Sequence, residues 1–323
     1  MMARLGAWLL VAFSLLPGVA AAQGYPAKPV KIIVPAQPGG GLDLTGRTIG
    51  AELGRALGQS FIVENVGGAG GSLAAMATKR AAPDGYTLMV GYVGTHGTNP
   101  AVRKLEYDAV RDFTPIAMVG GTPNILVVTP SVPASDLKAF VDYANKNPTK
   151  LNWGTGGIGL LNHLALEQFR GAAHLEGAVY AHYRGIGPAI TDMLGGQIHV
   201  LMPGLAAALP HIRAGKLKPL AVTGLKRNAL LPDVPTFEES GYKGFDGVQW
   251  YGIVGPAKLP PDITRKLNAE INKALSAPAL RDRLASEAMQ IMPMTPEQFG
   301  QFMQADIARW SALARERNIR LDD

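Results

Sequence analysis

Short apolar runs alternate with amphipathic segments along most of this chain, and the alternation predicts an α/β protein. In the N-terminal part, residues 30–34, 61–63 and 86–90 have the character of buried strands, and helical periodicity over 44–57 and 72–82 separates them. Strand, helix and strand in this order indicate a mostly parallel sheet with right-handed crossovers.

A second set of strands and helices follows residues 120–123, where glycine and proline interrupt the pattern. We place a crossing between two lobes there, and a second one before the apolar strand at residues 248–254. The predicted organisation is a first lobe from residues 23–123 plus 249–323 and a second lobe from residues 124–248. Two crossings form a two-strand hinge, an architecture typical of binding proteins that close around a ligand.

The first residues have the pattern of an export signal. Arg4 gives a positive start, residues 5–16 are apolar but too short to span a bilayer, and small residues at 20–22 precede Gln23. We expect a signal peptide at residues 1–22, cleaved before Gln23, and a periplasmic mature chain. A retained anchor is the disfavoured alternative.

Composition excludes several kinds of chemistry. The 323 residues include no cysteine, which removes thiol nucleophiles, disulfides and cysteine-bound zinc. The net charge of +6 is spread along the chain without a basic run, so no nucleic-acid partner is expected. The six histidines lack metal-binding spacing, and no serine lies in a catalytic motif. We therefore expect no metal, no cofactor and no enzyme activity.

Two glycine-rich turns, at residues 34–43 and 153–163, each follow a strand pattern and precede a helix pattern. Such turns direct backbone N–H groups and the positive end of a helix dipole at one point, where an anion is stabilised. The second turn also matches the dinucleotide fingerprint through Gly154, Gly156 and Gly159. The fingerprint needs an acidic residue at the end of the next strand, but Glu176 precedes that strand, so anion capture is favoured.

Three side chains near these turns each allow two interpretations. Asp43 is either the N-cap of its helix or a group that faces the cleft. His163, one turn into the second helix, is either a buried structural histidine or a cleft residue. Arg184 either contacts a carboxylate in a bidentate manner or is a surface arginine or part of a hinge ion pair.

Several motifs, in order along nearly the whole mature chain, resemble the Bug family of periplasmic solute receptors of tripartite tricarboxylate transporters. The motifs are Tyr25-Pro26-x-Lys28-Pro29, Ile33-Val34-Pro35, Pro38-Gly39-Gly40-x-x-Asp43, Glu64-Asn65, Gly68-Ala69-Gly70-Gly71, Asp84-Gly85-Tyr86-Thr87, Tyr107-Asp108, Asp112-Phe113-x-Pro115, Tyr183-Arg184-Gly185, Pro232-Asp233-Val234-Pro235-Thr236-x-x-Glu239 and Trp250-x-Gly252.

The resemblance implies a two-lobed, periplasmic-binding-protein-like α/β fold that holds a small carboxylate between the lobes and delivers it to membrane permease subunits. In that family both glycine loops grip the carboxylate, partly through ordered water. We expect a monomer that binds ligand through Ala36, Gln37, Gly39, Gly40, Asp43, Gly70, Ser72, Thr95, Gly156, Gly157, Ile158, Gly159, Leu160, His163, Tyr183, Arg184 and Trp250. A sensing receptor for a signalling partner and an exported enzyme are the alternatives.

Three positions depart from the family pattern. Ala36 replaces the usual aromatic residue, and Ile158 and Leu160 replace the usual Asn and Ser. A cleft that lacks these polar side chains would leave the polar groups of a highly hydroxylated or tricarboxylic ligand unpaired. The expected ligand is therefore a mono- or dicarboxylate with an apolar or aromatic body.

Overall fold

The computed structural model describes residues 24–175 and 177–321. The signal peptide expected at residues 1–22 and Glu176 lie outside the described residues. Within those ranges, no helix has both the length and the apolar character that crossing a bilayer requires.

Six of the described strands form the first sheet, in the order β2-β1-β3-β10-β4-β11. These strands are β1 (Val30–Val34), β2 (Phe61–Asn65), β3 (Thr87–Tyr92), β4 (Phe113–Pro123), β10 (Val248–Pro256) and β11 (Gln290–Ile291). Five described strands form the second sheet, in the order β7-β6-β8-β5-β9. They are β5 (Ile125–Val128), β6 (Asn152–Thr155), β7 (Val179–His182), β8 (Val200–Leu201) and β9 (Lys218–Val222).

The helices of the described ranges flank both sheets. They are α1 (Gly41–Leu57), α2 (Ser72–Lys79), α3 (Asn99–Val102), α4 (Leu137–Lys146), α5 (Leu161–Ala172), α6 (Ile186–Leu194), α7 (Leu205–Arg213), α8 (Pro261–Ser276), α9 (Pro278–Ser286) and α10 (Pro296–Glu316). A 3-10 turn (Ala69–Gly71) precedes α2, and a π-helical turn (Gly94–Thr98) precedes α3.

The two-lobed α/β class is confirmed, but both sheets are mixed rather than mostly parallel. β1 pairs in parallel with β2 and β3, and β6 pairs in parallel with β7 and β8, as strand-helix-strand units require. β10 is antiparallel to β3 and β4, and β5 is antiparallel to β8 and β9. The reason is that β5 and β10 have just crossed between sheets and therefore start at the edge where their parallel neighbours end.

Two helices begin at glycine. The N-cap of α1 is Gly40, so the interpretation of Asp43 as the N-cap is wrong, and the N-cap of α2 is Gly71. A capping box begins α10, since the side chain of Thr295 accepts from the backbone N–H of Gln298 and the side chain of Gln298 accepts from the backbone N–H of Thr295.

The first sheet is buried on both faces, which fits its nearly continuous apolar strands. Ile32 and Ile253 pack with α1, α8 and α9 on one face, while Met89 and Trp250 pack with α10 on the other. The second sheet is enclosed in the same way by α4 and α5 on one face and by α6 and α7 on the other. Each sheet is therefore covered by its own helices, and the space between the two sheets remains for a site.

The first crossing between the sheets is hydrogen-bonded to the end of β9. Asn124 separates β4 from β5, and Thr223 directly follows β9. The N–H of Asn124 donates to Oγ1 of Thr223 at 2.8 Å, and the N–H of Thr223 donates to the carbonyl of Asn124 at 2.8 Å. This pair continues the β5–β9 ladder up to the first crossing, and the second crossing enters the first sheet at Val248, which pairs with Pro123.

Candidate functional site

A cavity of about 620 Å3 lies between the two sheets. It is lined by residues of both lobes and of β10, and most of its lining atoms are apolar. Three of the ligand-binding residues predicted from the sequence, Ala36, Gly40 and Leu160, line it directly.

Several helices begin at this cavity. The N-cap residues of α1 (Gly40), α5 (Leu160) and α7 (Gly204) lie in its wall, as does the first residue of α6 (Ile186). Within the described chain, none of the N-cap residues of these four helices makes a side-chain cap. Their first backbone N–H groups therefore remain available, and the positive ends of four helix dipoles lie at one space. Because α1 belongs to one lobe and α5 to the other, each of the two glycine turns brings a helix start to the same cavity.

Asp43 stabilises the first glycine turn through hydrogen bonds of its carboxylate. Its carboxylate accepts from the N–H of Gly39 at 3.0 Å, from Arg47 at 3.0 Å and from Nδ2 of Asn65 at 2.9 Å. The hydrogen bond from Arg47 is the main reason that the pKa of Asp43 is lowered to about 2, against the opposing effect of burial. Asp43 is buried and lies outside the cavity lining. It is neither the N-cap nor a cavity-lining group, and its hydrogen bonds hold the first glycine turn in place.

The second glycine turn is also held by its own helix. The N–H of Gly156 donates to Oδ1 of Asn162 at 3.2 Å, and the N–H of Gly159 donates to Nδ1 of His163 at 3.1 Å. His163 is buried, and burial, followed by the nearby His182, lowers its pKa to about 4. A neutral His163 that accepts at Nδ1 carries its proton on Nε2.

The second turn also contacts the opposite lobe. Gly159 has φ +74°, and a Cβ atom there would lie 2.7 Å from Cγ2 of Val102 in α3. Leu161 and Leu164, at the start of α5, are buried in the same cluster as Val102. Glycine is required at 159 both by its backbone conformation and by this approach of the two lobes.

Two buried polar atoms in the cavity wall have no hydrogen-bond partner among the described residues. They are Oγ1 of Thr98, at the end of the π-helical turn, and Nδ2 of Asn124, in the crossing segment. Thr98 is 1% exposed and Asn124 is 3% exposed. An unpaired buried polar group is costly, and a bound polar ligand is one way to satisfy it.

The cavity wall carries little fixed charge. Among the described residues that line it there is no lysine, arginine or histidine, and Glu287 is the one ionisable residue besides two tyrosines. Burial raises the pKa of both phenols, Tyr92 and Tyr251, which therefore stay protonated and can donate hydrogen bonds. In the described chain no group of three or more histidine or acidic side chains could hold a metal ion.

The other predicted residues of the first lobe lie around the cavity rather than in its lining. Gln37 and Gly39 are exposed on the first turn. The carbonyl of Gly70 accepts from the hydroxyl of Tyr92 at 3.1 Å, and Ser72 begins α2. Thr95 is fully buried and its hydroxyl bonds Nδ1 of His96 at 2.8 Å, whereas Nε1 of buried Trp250 donates to Asp306 at 2.8 Å.

In the second lobe, Gly156 and Gly157 form the turn itself and His163 lies behind it. Ile158 is 40% exposed and is not part of the lining. The hydroxyl of Tyr183 donates to Asp192 at 2.7 Å, and Arg184 is exposed.

Sequence reasoning missed Thr98, Asn124, the start of α7 and Glu287. Asn124 had a usable signal, because a polar residue directly after the predicted crossing at 120–123 must lie where the lobes meet. Thr98 and Glu287 had no such sequence signal, since their segments show no turn motif and reach the cavity only through tertiary packing.

Two sheets covered by their own helices, two crossings and an interlobe cavity define a two-lobed binding protein of the periplasmic type. The model of the tripartite tricarboxylate transporter family receptor matches residues 46–319, and the chain belongs to this family. It is similar to BugT of Bordetella pertussis, with 33% identity over 320 residues that cover 96% of each chain.

Solved structures with the same fold include family members with bound ligands. The chain is similar to R. palustris Rpa4515 with adipate, at 32% identity and a TM-score of 0.80, covering 92% of this chain and 99% of that one. It is also similar to MatC from Rhodopseudomonas palustris with bound malate, at 33% identity and a TM-score of 0.75, covering 90% of this chain and 99% of that one. The resemblance read from the sequence is confirmed, and family membership makes the protein a solute-binding receptor rather than an enzyme.

Proposed function

We propose that this receptor captures a small organic carboxylate with an apolar body between its lobes and delivers it to the permease of a tripartite transporter. The observation that carries the proposal is the meeting of the α1 and α5 starts, one from each lobe, at a cavity wall with unpaired Thr98. Helix N-termini stabilise a carboxylate without a cationic side chain.

The relatives support the chemical class. Adipate and malate, bound in Rpa4515 and MatC, are small organic acids. The preference for an apolar body comes from this chain, because Leu160 and Met289 line the cavity and Ala36 leaves room in the first turn. Burial of apolar ligand surface against these side chains then adds to the carboxylate contacts.

Capture requires the lobes to approach each other. A ligand that contacts the starts of both α1 and α5 stabilises the closed arrangement, because neither lobe alone supplies both contacts. Export through the signal peptide at residues 1–22 would place the receptor in the periplasm, where a permease can recognise the closed form.

The test is calorimetry on the mature chain, residues 23–323, with hexanoate, benzoate, adipate and citrate. Hexylamine is the control, since it has the body of hexanoate with a cation in place of the carboxylate. We expect an acid with an apolar body to bind at least about tenfold more tightly than citrate, and hexylamine not to bind.

The outcomes separate the parts of the proposal. Binding of citrate alone would contradict the apolar body. Binding of hexylamine as tight as that of hexanoate would contradict the carboxylate grip. Turnover of any of these acids would support the enzyme alternative instead of a receptor.

A further inference from the structure

We propose that the cavity has a second subsite at its hinge-side end, which takes a neutral hydrogen-bonding group and disfavours a second carboxylate. The hinge-side end is defined here by Asn124, Gly204 and Glu287. This inference rests on the proposed function, since it describes the far end of a ligand whose carboxylate is held by α1 and α5.

Asn124 shows that this end is built for a polar group. It is 3% exposed, its Nδ2 has no partner within the described ranges, and it lines the cavity. It forms a β-bridge with Gly204, the N-cap of α7, so its amide lies beside the open start of that helix. Both features donate hydrogen bonds, and together they call for an acceptor on the ligand.

Glu287 brings a negative charge to the same end. The residue that follows it, Ala288, is buried with Leu205 and Ala208 of α7. The carbonyl of Ala288 also accepts from Nδ2 of buried Asn228 at 3.1 Å, which fixes the segment against the second lobe. Glu287 therefore lines the cavity from a segment that is fixed to α7.

The two unpaired polar atoms lie on different segments of the cavity wall. Thr98 follows β3 and Asn124 follows β4, and β10 lies between these strands in the sheet. We therefore place different parts of one ligand at the two residues.

The charges decide what the far end accepts. A second carboxylate would face Glu287, and no lysine, arginine or histidine among the described lining residues offsets that repulsion. A hydroxyl group can accept from Asn124 and donate to Glu287 at once. The ligand class that fits is a monocarboxylate with an apolar body and a hydroxyl or amide at its far end.

The test uses three probes of six carbons: hexanoate, 6-hydroxyhexanoate and adipate. We measure their affinities for the full mature chain by calorimetry. 6-Hydroxyhexanoate should bind at least about tenfold more tightly than adipate. Because Glu287 is exposed, it can be replaced without disturbing the core. Glu287→Gln should raise the affinity for adipate relative to that for 6-hydroxyhexanoate at least about fivefold.

Two further variants complete the experiment. Asp282→Asn removes the same charge from an exposed position of α9 outside the cavity lining. It should leave the order of affinities for the three acids unchanged. Asn124→Ala should remove the advantage of 6-hydroxyhexanoate over hexanoate, with thermal melting as the check that the variant folds.

The results distinguish this inference from the proposed function. If hexanoate or 6-hydroxyhexanoate binds but adipate binds equally well or better, and Glu287→Gln leaves the ranking unchanged, the second subsite is wrong while carboxylate capture stands. If none of the three acids binds, the proposed function fails and the subsite fails with it.

Discussion

The backbone N–H of Gly159 donates to Nδ1 of His163 at 3.1 Å, so the second glycine turn depends on a histidine nitrogen that carries no proton. His163 is also in ring contact with His182 and Tyr180, and Arg170 lies near enough to oppose its protonation. The shape of the turn and the ionisation of this side chain are therefore coupled.

This coupling predicts a pH dependence of stability. The unfolded chain protonates a histidine near pH 6.5, whereas folding lowers the pKa of His163 to about 4. The contribution of His163 to the free energy of unfolding is therefore fully present above pH 6.5. It is lost as the pH falls toward 4, by up to about 3 kcal/mol. Fully buried His96, whose pKa is lowered to about 3, acts in the same direction. Urea unfolding at pH 7 and pH 4 measures the loss.

His163→Asn should make that loss smaller, because asparagine does not titrate. His174→Asn is the matched control, since His174 is exposed at φ +54°, a conformation that asparagine tolerates. An unchanged difference between pH 7 and pH 4 in His163→Asn would contradict the assignment.

Gly159→Ala should weaken ligand binding by about tenfold or more. Its Cβ would lie 2.7 Å from Val102 of the other lobe, so the lobes could not approach as closely. Gly157→Ala is the control, because Gly157 also has a positive φ but its nearest contacts are within its own lobe, at 3.3 Å from the carbonyl of Tyr183. Equal losses of affinity in the two variants would mean that backbone strain, rather than lobe contact, is responsible.

Thr98→Val should lower the affinity for a carboxylate by about tenfold without lowering the melting temperature. The hydroxyl has no partner among the described residues, so its removal costs the free protein nothing, but a hydrogen bond to a charged ligand is lost. Thr48→Val is the control, since Oγ1 of Thr48 is likewise buried and unpaired but lies outside the cavity lining. Unchanged affinity in Thr98→Val would remove Thr98 from the site.

Leu160→Ser should shift selectivity from acids with an apolar body toward polar acids, because Leu160 lines the cavity. The expected change in the ratio of hexanoate to citrate affinity is about tenfold. Ile158→Ser should change this ratio little, since Ile158 is 40% exposed outside the lining. Calorimetry with both acids on both variants checks the assignment, and a larger effect at Ile158 would reverse it.

Local signals were sufficient for much of the fold. The strand-helix-strand periodicity gave β1, α1, β2, α2 and β3, and the break at residues 120–123 lies where β4 leaves the first sheet. Mixed strand direction could not be predicted in the same way. It depends on which edge of a sheet a crossing strand enters, and that is a property of the assembled lobes rather than of the apolar pattern.

The site was predictable only in part for a similar reason. Glycine turns mark helix starts, so Gly40 and Leu160 could be found from the sequence. Whether a neighbour of such a turn faces the ligand depends on its hydrogen bonds: Asp43 is occupied by Gly39, Arg47 and Asn65, while Thr98 is unpaired. A sequence does not reveal which polar groups satisfy one another inside the fold.

Asn124 combines two roles. Its main chain lies in the first crossing and is hydrogen-bonded to Thr223 at the end of β9, and its side chain opens into the cavity. A ligand that hydrogen-bonds this amide would contact the hinge directly. Ligand binding and the relative orientation of the lobes would then be linked at a single residue, with no relay through intervening side chains.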